Sequence, residues 1–210
     1  MLIGPGEHVP IARLLNFLAQ GEHLAHDVAH TQAALTPDLH ARRFLLNQAR
    51  QEAVHAVVFQ GASAWLVPRH LGASPSLKAL DQYQACVCDA LRRKDLFESI
   101  LAEQIILEGL GEALLTRIEA GLVKRHAGFR RLRQILLHQE EAHYAFGRRL
   151  LDRAITAGET DPDRLRPRGH EYLALSEAMV MMVCDLFDSI DEDAAAWWTD
   201  AQRYVPEWLS

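Results

Sequence analysis

Long apolar runs, hairpin turns, paired cysteines and a basic surplus are all missing from this sequence of 210 residues. No stretch approaches the length of a membrane span, and the most apolar segment, Ala178 to Cys184, is far too short for one. Met1 to His8 holds no basic region ahead of an apolar one, so no secretory leader is expected. Three cysteines, Cys86, Cys88 and Cys184, are too few for a disulfide framework and fit a reducing, cytoplasmic setting. Cys86 and Cys88 do not have a zinc spacing, and all three read as small apolar fillers. The net charge of −6 argues against a nucleic-acid partner, because phosphate binding draws on clustered Lys and Arg. β-branched runs and Asn-Gly or Asp-Gly turns are also lacking, which excludes an extensive sheet.

What is present is helical and amphipathic, with 49% apolar and 24% charged residues. The length suits a single domain spanning residues 1–210. Breaks are marked by Thr36-Pro37-Asp38, where Thr36 can cap and Pro37 fits a first helical position, by Pro68, by Ser74-Pro75-Ser76, by Gly128, and by the polar stretch Gly158 to Pro167. They predict long helices over about 10–33, 37–66, 95–122 and 129–157. A connecting helix is expected over about 76–92, another over about 168–190, and a short tail helix over about 192–203. The fold class is all-α, a four-helix bundle with additional connecting and C-terminal helices.

Two Glu-x-x-His pairs, Glu52 with His55 and Glu140 with His143, fall inside predicted long helices. Residues three apart share a helical face, so each pair can aim a carboxylate and an imidazole at one point. Either pair alone is weak evidence. The larger pattern is a repeat. Glu22 precedes Glu52 by 30 residues, and Glu108 precedes Glu140 by 32. A turn near each midpoint returns the second helix to the height of the first glutamate. The triplet Glu22, Glu52, His55 thus recurs as Glu108, Glu140, His143. Two such hairpins facing each other would gather six metal ligands, one Glu from each of two helices and Glu-x-x-His from each of the others. The faces around these residues are otherwise apolar, with Leu15, Leu18, Ala25, Leu45, Phe59, Leu101, Ile105, Leu136 and Phe146. Burying an unpaired carboxylate costs several kcal/mol, and two divalent cations would balance four of them.

These segments carry a family resemblance. Gly21-Glu22, Gln51-Glu52-Ala53-Val54-His55 with Phe59, Ile106-Leu107-Glu108, and Glu140-Glu141-Ala142-His143-Tyr144-Ala145-Phe146-Gly147 resemble the ferritin-like di-iron carboxylate oxygenases, and within them the aldehyde-deformylating oxygenases. The resemblance covers about residues 12–150. It implies metal ligands at Glu22, Glu52, His55, Glu108, Glu140 and His143, two Fe ions as cofactor, and O2 as co-substrate. Manganese or a mixed Mn/Fe pair satisfies the same oxygen-rich set. Phe59 stands four residues after the first ligand His, where reductase small subunits carry a radical-forming Tyr, so a tyrosyl-radical role is disfavoured. With no Cys-x-x-Cys pair, electrons are expected from an external donor or from the substrate.

Around this set, Glu112, one turn after Glu108, and His26, one turn after Glu22, are candidates for a supporting shell, with the bundle surface as the competing reading for both. Glu103 lies about 140° from Glu108 on an α-helical wheel and is excluded. Phe59, Ile105 and Phe146 are expected to line a substrate pocket. Gly109 and Gly111 suggest either a helical bulge near Glu108 or close packing. Arg133 is a candidate for an anionic substrate head group. Trp197, Trp198, Tyr204 and Trp208 either pack the tail onto the bundle or form a homodimer contact. The expected activity is that of an O2-dependent di-iron oxygenase or oxidase acting on a small or chain-like organic substrate. The spacing of Glu52 and His55 leaves a ferroxidase or iron-binding protein open. Glu108 follows Glu52 by 56 residues, and this interval holds an additional helix, which favours the oxygenase.

Overall fold

The computed structural model describes residues 6–67, 78–124, 126, 128, 130–189 and 192–209. Helices follow one another as α1 (His8–Leu35), α2 (Leu39–Leu66), α3 (Lys78–Arg92) and α4 (Leu96–Ile100), which runs into a π-helical stretch, Leu101–Leu107. After it come α5 (Glu108–Lys124), α6 (Arg130–Thr156), α7 (Pro162–Met182), α8 (Cys184–Ser189) and α9 (Ala194–Ala201). Two single 3-10 turns, Gln202–Tyr204 and Glu207–Leu209, complete the tail. No strand occurs among the described residues. None of their helices is long and apolar enough to cross a membrane.

The first hairpin is α1 with α2. Asp38 caps α2 by accepting from the His40 and Ala41 amides at 2.7 and 3.2 Å. The cap is therefore Asp38, not Thr36, and Pro37 precedes the helix. The Ser63 hydroxyl donates to the Ala12 carbonyl and the Arg42 Nε to the Ala33 carbonyl, each at 3.1 Å, which sets two antiparallel helices in register. The second hairpin is the π stretch and α5 with α6. Arg133 pairs with Glu119 at 2.5 Å and also bonds the Gly128 carbonyl, so it fastens this hairpin at its turn.

The third predicted long helix is not uniform. At Glu108 the amide donates to the Glu103 carbonyl, five residues back. Such a turn takes one more residue than an α turn and frees backbone groups. Here the Ala102 carbonyl accepts from the Tyr83 hydroxyl of α3 at 2.5 Å. Gly147 of α6 lies against the same stretch. A Cβ there would sit 2.4 Å from the Gln104 Cβ, so only glycine lets the helices approach this closely. The bulge thus falls before Glu108, while Gly109 serves packing, its missing Cβ leaving room for Tyr204.

A buried apolar core including Leu45, Ile100, Leu101, Ile105, Leu114, Leu151 and Leu165 joins the helices. α7 begins six residues earlier than expected, because Asp161 caps it and Pro162 occupies a first-turn position that needs no amide donor. Pro167 lies within it. Buried Glu98 ties α4 to the turn after α3 through Arg93 and to α7 through Arg168 and Tyr172. The aromatic tail packs onto the bundle: Trp197 is buried against Phe187, and the Tyr144 hydroxyl donates to the Tyr204 carbonyl at 2.7 Å. Of the cysteines, Cys88 and Cys184 are exposed and Cys86 is half-buried, so none is a core filler.

Two glycines test this packing. Gly147→Ala forces α6 away from Gln104 and should cost about 1–3 kcal/mol, a Tm drop of several degrees in thermal unfolding. Gly61→Ala, on the exposed face of α2 with open space around it, should instead stabilise by about 0.4–1 kcal/mol.

Candidate metal centre

α1, α2, α5 and α6 each deliver carboxylates or imidazoles to the middle of the bundle. Glu22, Glu52, His55, Glu108, Glu140 and His143 are all buried there. The His55 Nδ1 lies 3.4 Å from Glu22, 3.0 Å from Glu52 and 2.9 Å from Glu140. The His143 Nδ1 lies 2.9 Å from Glu52 and 3.6 Å from Glu108. The contacts group the six residues into two quartets, Glu22, Glu52, His55, Glu140 and Glu52, Glu108, Glu140, His143. Within each quartet the candidate ligand atoms lie within 4.8 Å of one another. Glu52 and Glu140 belong to both, so a pair of ions would share these two carboxylates and each would have one imidazole and one further glutamate of its own.

The far side of each imidazole is held by a glutamine of the opposite hairpin. The His55 Nε2–H donates to the Gln139 Oε1 and the His143 Nε2–H to the Gln51 Oε1, both at 2.8 Å. These bonds occupy Nε2 and leave Nδ1 as the nitrogen that faces the carboxylates, the one available to a metal once its proton is displaced. Gln51 and Gln139 precede Glu52 and Glu140 directly, so they extend the repeat by one more residue at the same 88-residue offset. A third glutamine, Gln48, donates to the Glu108 Oε1 at 2.5 Å. Gln48 is held in turn by Gln104, and Gln104 by Gln32, in a fully buried amide chain.

The donor set fits a dinuclear metal site. The His55 and His143 Nδ1 atoms and both Glu52 oxygens are buried with no aligned hydrogen-bond partner. Buried polar atoms without partners are costly, and here they face a common point. The electrostatics agree. Burial, with the charge of Glu140, pushes the Glu22 carboxyl well up. Burial and the charges of Glu52 and Glu140 do the same to Glu108. Burial opposes ionisation of Glu52 too, but the two imidazoles beside it hold it well below the carboxylate range. Burial disfavours charge on His55, yet Glu140, Glu22 and Glu52 around it raise its pKa far above the usual imidazole value. Without cations the cluster must therefore keep protons. Oxygen-rich carboxylate sites with imidazole suit divalent iron, manganese or zinc.

A cavity of about 50 Å³ adjoins the cluster, lined by Phe17, Leu18, Ala25, Leu107, Leu110 and Leu114 together with Glu22, Glu103, Glu108 and Glu140. Its apolar walls come from α1, the end of the π stretch and α5, and α6 contributes Glu140. Phe59 and Ile105 are buried elsewhere in the core. Phe146 stacks on Phe44 at 4.0 Å beside an open outer groove, with the Phe44 ring edge-on to His143. None of the three lines the cavity. His26 is also away from the site, its Nδ1–H donating to the Ala49 carbonyl at 2.6 Å and joining α1 to α2. Glu112 is half-buried next to Tyr204, outside both quartets, and burial raises its pKa. Glu103, excluded on an α-helical wheel, is fully buried and lines the cavity. The π turn carries it onto the face of Glu108.

The sequence matches no protein-family model and no curated protein. A solved structure described as protein 19 with aldehyde deformylating oxidase activity, from Synechococcus, superposes with a TM-score of 0.76. The match covers 100% of this chain and 92% of that one, at 19% identity. The chain therefore has the ferritin-like helical bundle fold of that protein.

The glutamine pair provides a test that spares the ligands. Gln139→Leu and Gln51→Leu should each weaken binding of one divalent ion by about 10–100-fold in a calorimetric titration, with far-UV circular dichroism unchanged.

Proposed function

Starting from a ferritin-like bundle whose centre gathers four glutamates and two histidines, we propose that this protein is an O2-activating di-metal oxygenase or oxidase, iron being the favoured metal. The observation that carries the reading is the pair of quartets sharing Glu52 and Glu140, with an apolar cavity against one side. Glu22 and His55 would hold one ion and Glu108 and His143 the other. Bound iron supplies electrons for the reduction of O2, and an organic substrate beside it is oxidised.

The remaining work belongs to the protein. Gln51 and Gln139 orient the imidazoles, and Gln48 orients the Glu108 carboxylate. Phe17, Leu18, Leu107, Leu110 and Leu114 keep the cavity dry, which strengthens the electrostatic interactions of the ligands. The cavity's size selects a small organic molecule, or the reactive end of a chain whose remainder passes between α1 and α5. The electron donor is external or the substrate itself. Activity towards aldehydes is the first to test, since the neighbouring structure bears that activity in its description.

The same small volume favours a second reading, a ferroxidase whose substrate is Fe(II) itself. One experiment separates them. Metal-free protein is loaded anaerobically with Fe(II), exposed to O2, and assayed for oxygen uptake with and without short aldehydes. The oxygenase reading expects about two irons per chain and oxygen uptake that rises with an organic substrate and yields its oxidised product. Glu52→Ala should lower the iron content and uptake at least tenfold. Uptake that follows added Fe(II) alone, with ferric iron accumulating well beyond two per chain, would establish the ferroxidase.

A further inference from the structure

Glu103 is fully buried, and neither carboxylate oxygen has a hydrogen-bond partner. It lines the cavity with Glu22, Glu108 and Glu140. The charges that act on it are those of Glu52 and Glu140, both of its own sign. A carboxylate in this position is costly, because it is desolvated, unpaired and beside like charges. It gives the fold nothing in return. The π stretch is nevertheless built so that Glu103 and Glu108 stand one turn apart, joined by the Glu108 amide on the Glu103 carbonyl. In metal-free protein a retained proton neutralises it, and the groups able to repay the cost of its ionised form are the cations of the proposed metal pair.

We propose that Glu103 is a fifth carboxylate ligand of that pair, the one that balances the charge added when an ion becomes trivalent. The inference rests on the di-metal reading and deepens it. Four glutamates neutralise two divalent ions. A fifth matches the total charge once one of the ions has lost an electron. Glu103 lies outside both quartets but lines the same cavity as Glu22, Glu108 and Glu140, so its side chain would turn through that cavity to join the site.

The test compares wild-type protein with Glu103→Gln, which keeps the shape and removes the charge, and with Glu103→Leu, which removes all polarity. Both are made metal-free and then loaded anaerobically with Fe(II), and the midpoint potential of the bound iron is measured by spectroelectrochemical titration. The proposal expects both variants still to bind two Fe(II) but to lose at least tenfold in preference for ferric over ferrous iron. That loss appears as an upward shift of about 59 mV or more for a one-electron couple. It also expects the metal-free variants, Glu103→Leu most clearly, to melt at a higher temperature than metal-free wild type, since a buried carboxyl group without hydrogen-bond partners is gone. A residue that merely held the helix would lower that temperature and leave the potential in place. Wild type that binds two irons, with potentials in both variants matching it, would overturn the role of Glu103 and leave the di-metal site standing. Wild type that binds no iron pair would overturn both.

Discussion

Everything in this bundle is arranged around mutual repulsion at its centre. Five glutamates are buried within one cluster and its adjoining cavity, against two imidazoles. Burial alone raises the pKa of Glu22, Glu103 and Glu108, and the charges of neighbouring glutamates raise it further. Bringing these groups together disfavours folding unless protons or cations neutralise them. Cations would also exploit the geometry, because two carboxylates common to both quartets, with one imidazole for each ion, are what a dinuclear site needs and what a merely neutralised cluster does not.

The surrounding structure supports this centre in successive shells. Glutamines at 2.8 Å fix the imidazole tautomers from the opposite hairpin, so each half of the repeat orients the other. A buried amide chain from Gln32 through Gln104 and Gln48 reaches Glu108. Further out, the close approach of Gly147 to Gln104 and the Tyr83 hydroxyl on the Ala102 carbonyl stabilise a π stretch that an isolated helix would avoid. The tail helix and its aromatic residues then cover α5. The cost of the irregular turn is offset by the positions it gives Glu103 and Glu108 on one face.

The hairpins and the six convergent residues could be read from the sequence because a helix has a fixed rise. Glutamates 30 and 32 residues apart across a turn must meet, and a repeated offset of 88 residues repeats the geometry. Gln51 and Gln139 obey the same offset and were equally legible once the repeat was extended by a residue. Glu103 was not. An α-helical wheel turns it about 140° from Glu108, and only the wider π turn, imposed by packing against α6 and α3, brings the two together. The cavity lining was missed for a related reason. Phe59 and Phe146 follow the ligand histidines on α2 and α6, whereas the free volume lies between α1 and α5, where the side chains of Phe17, Leu18, Leu110 and Leu114 fall short of filling it. Local periodicity places side chains on faces; it does not tell which interface is left underpacked. The capping of α2 by Asp38 and the early start of α7 at Pro162 moved boundaries without moving the site.

The central claim is that two cations share Glu52 and Glu140. Anomalous diffraction from crystals grown with Mn(II) measures this directly. The account predicts two peaks at the centre of the bundle, one beside the Nδ1 of His55 and one beside the Nδ1 of His143, with both shared carboxylates between them. A single peak, no peak, or imidazoles bound through Nε2 with Gln51 and Gln139 displaced would contradict it.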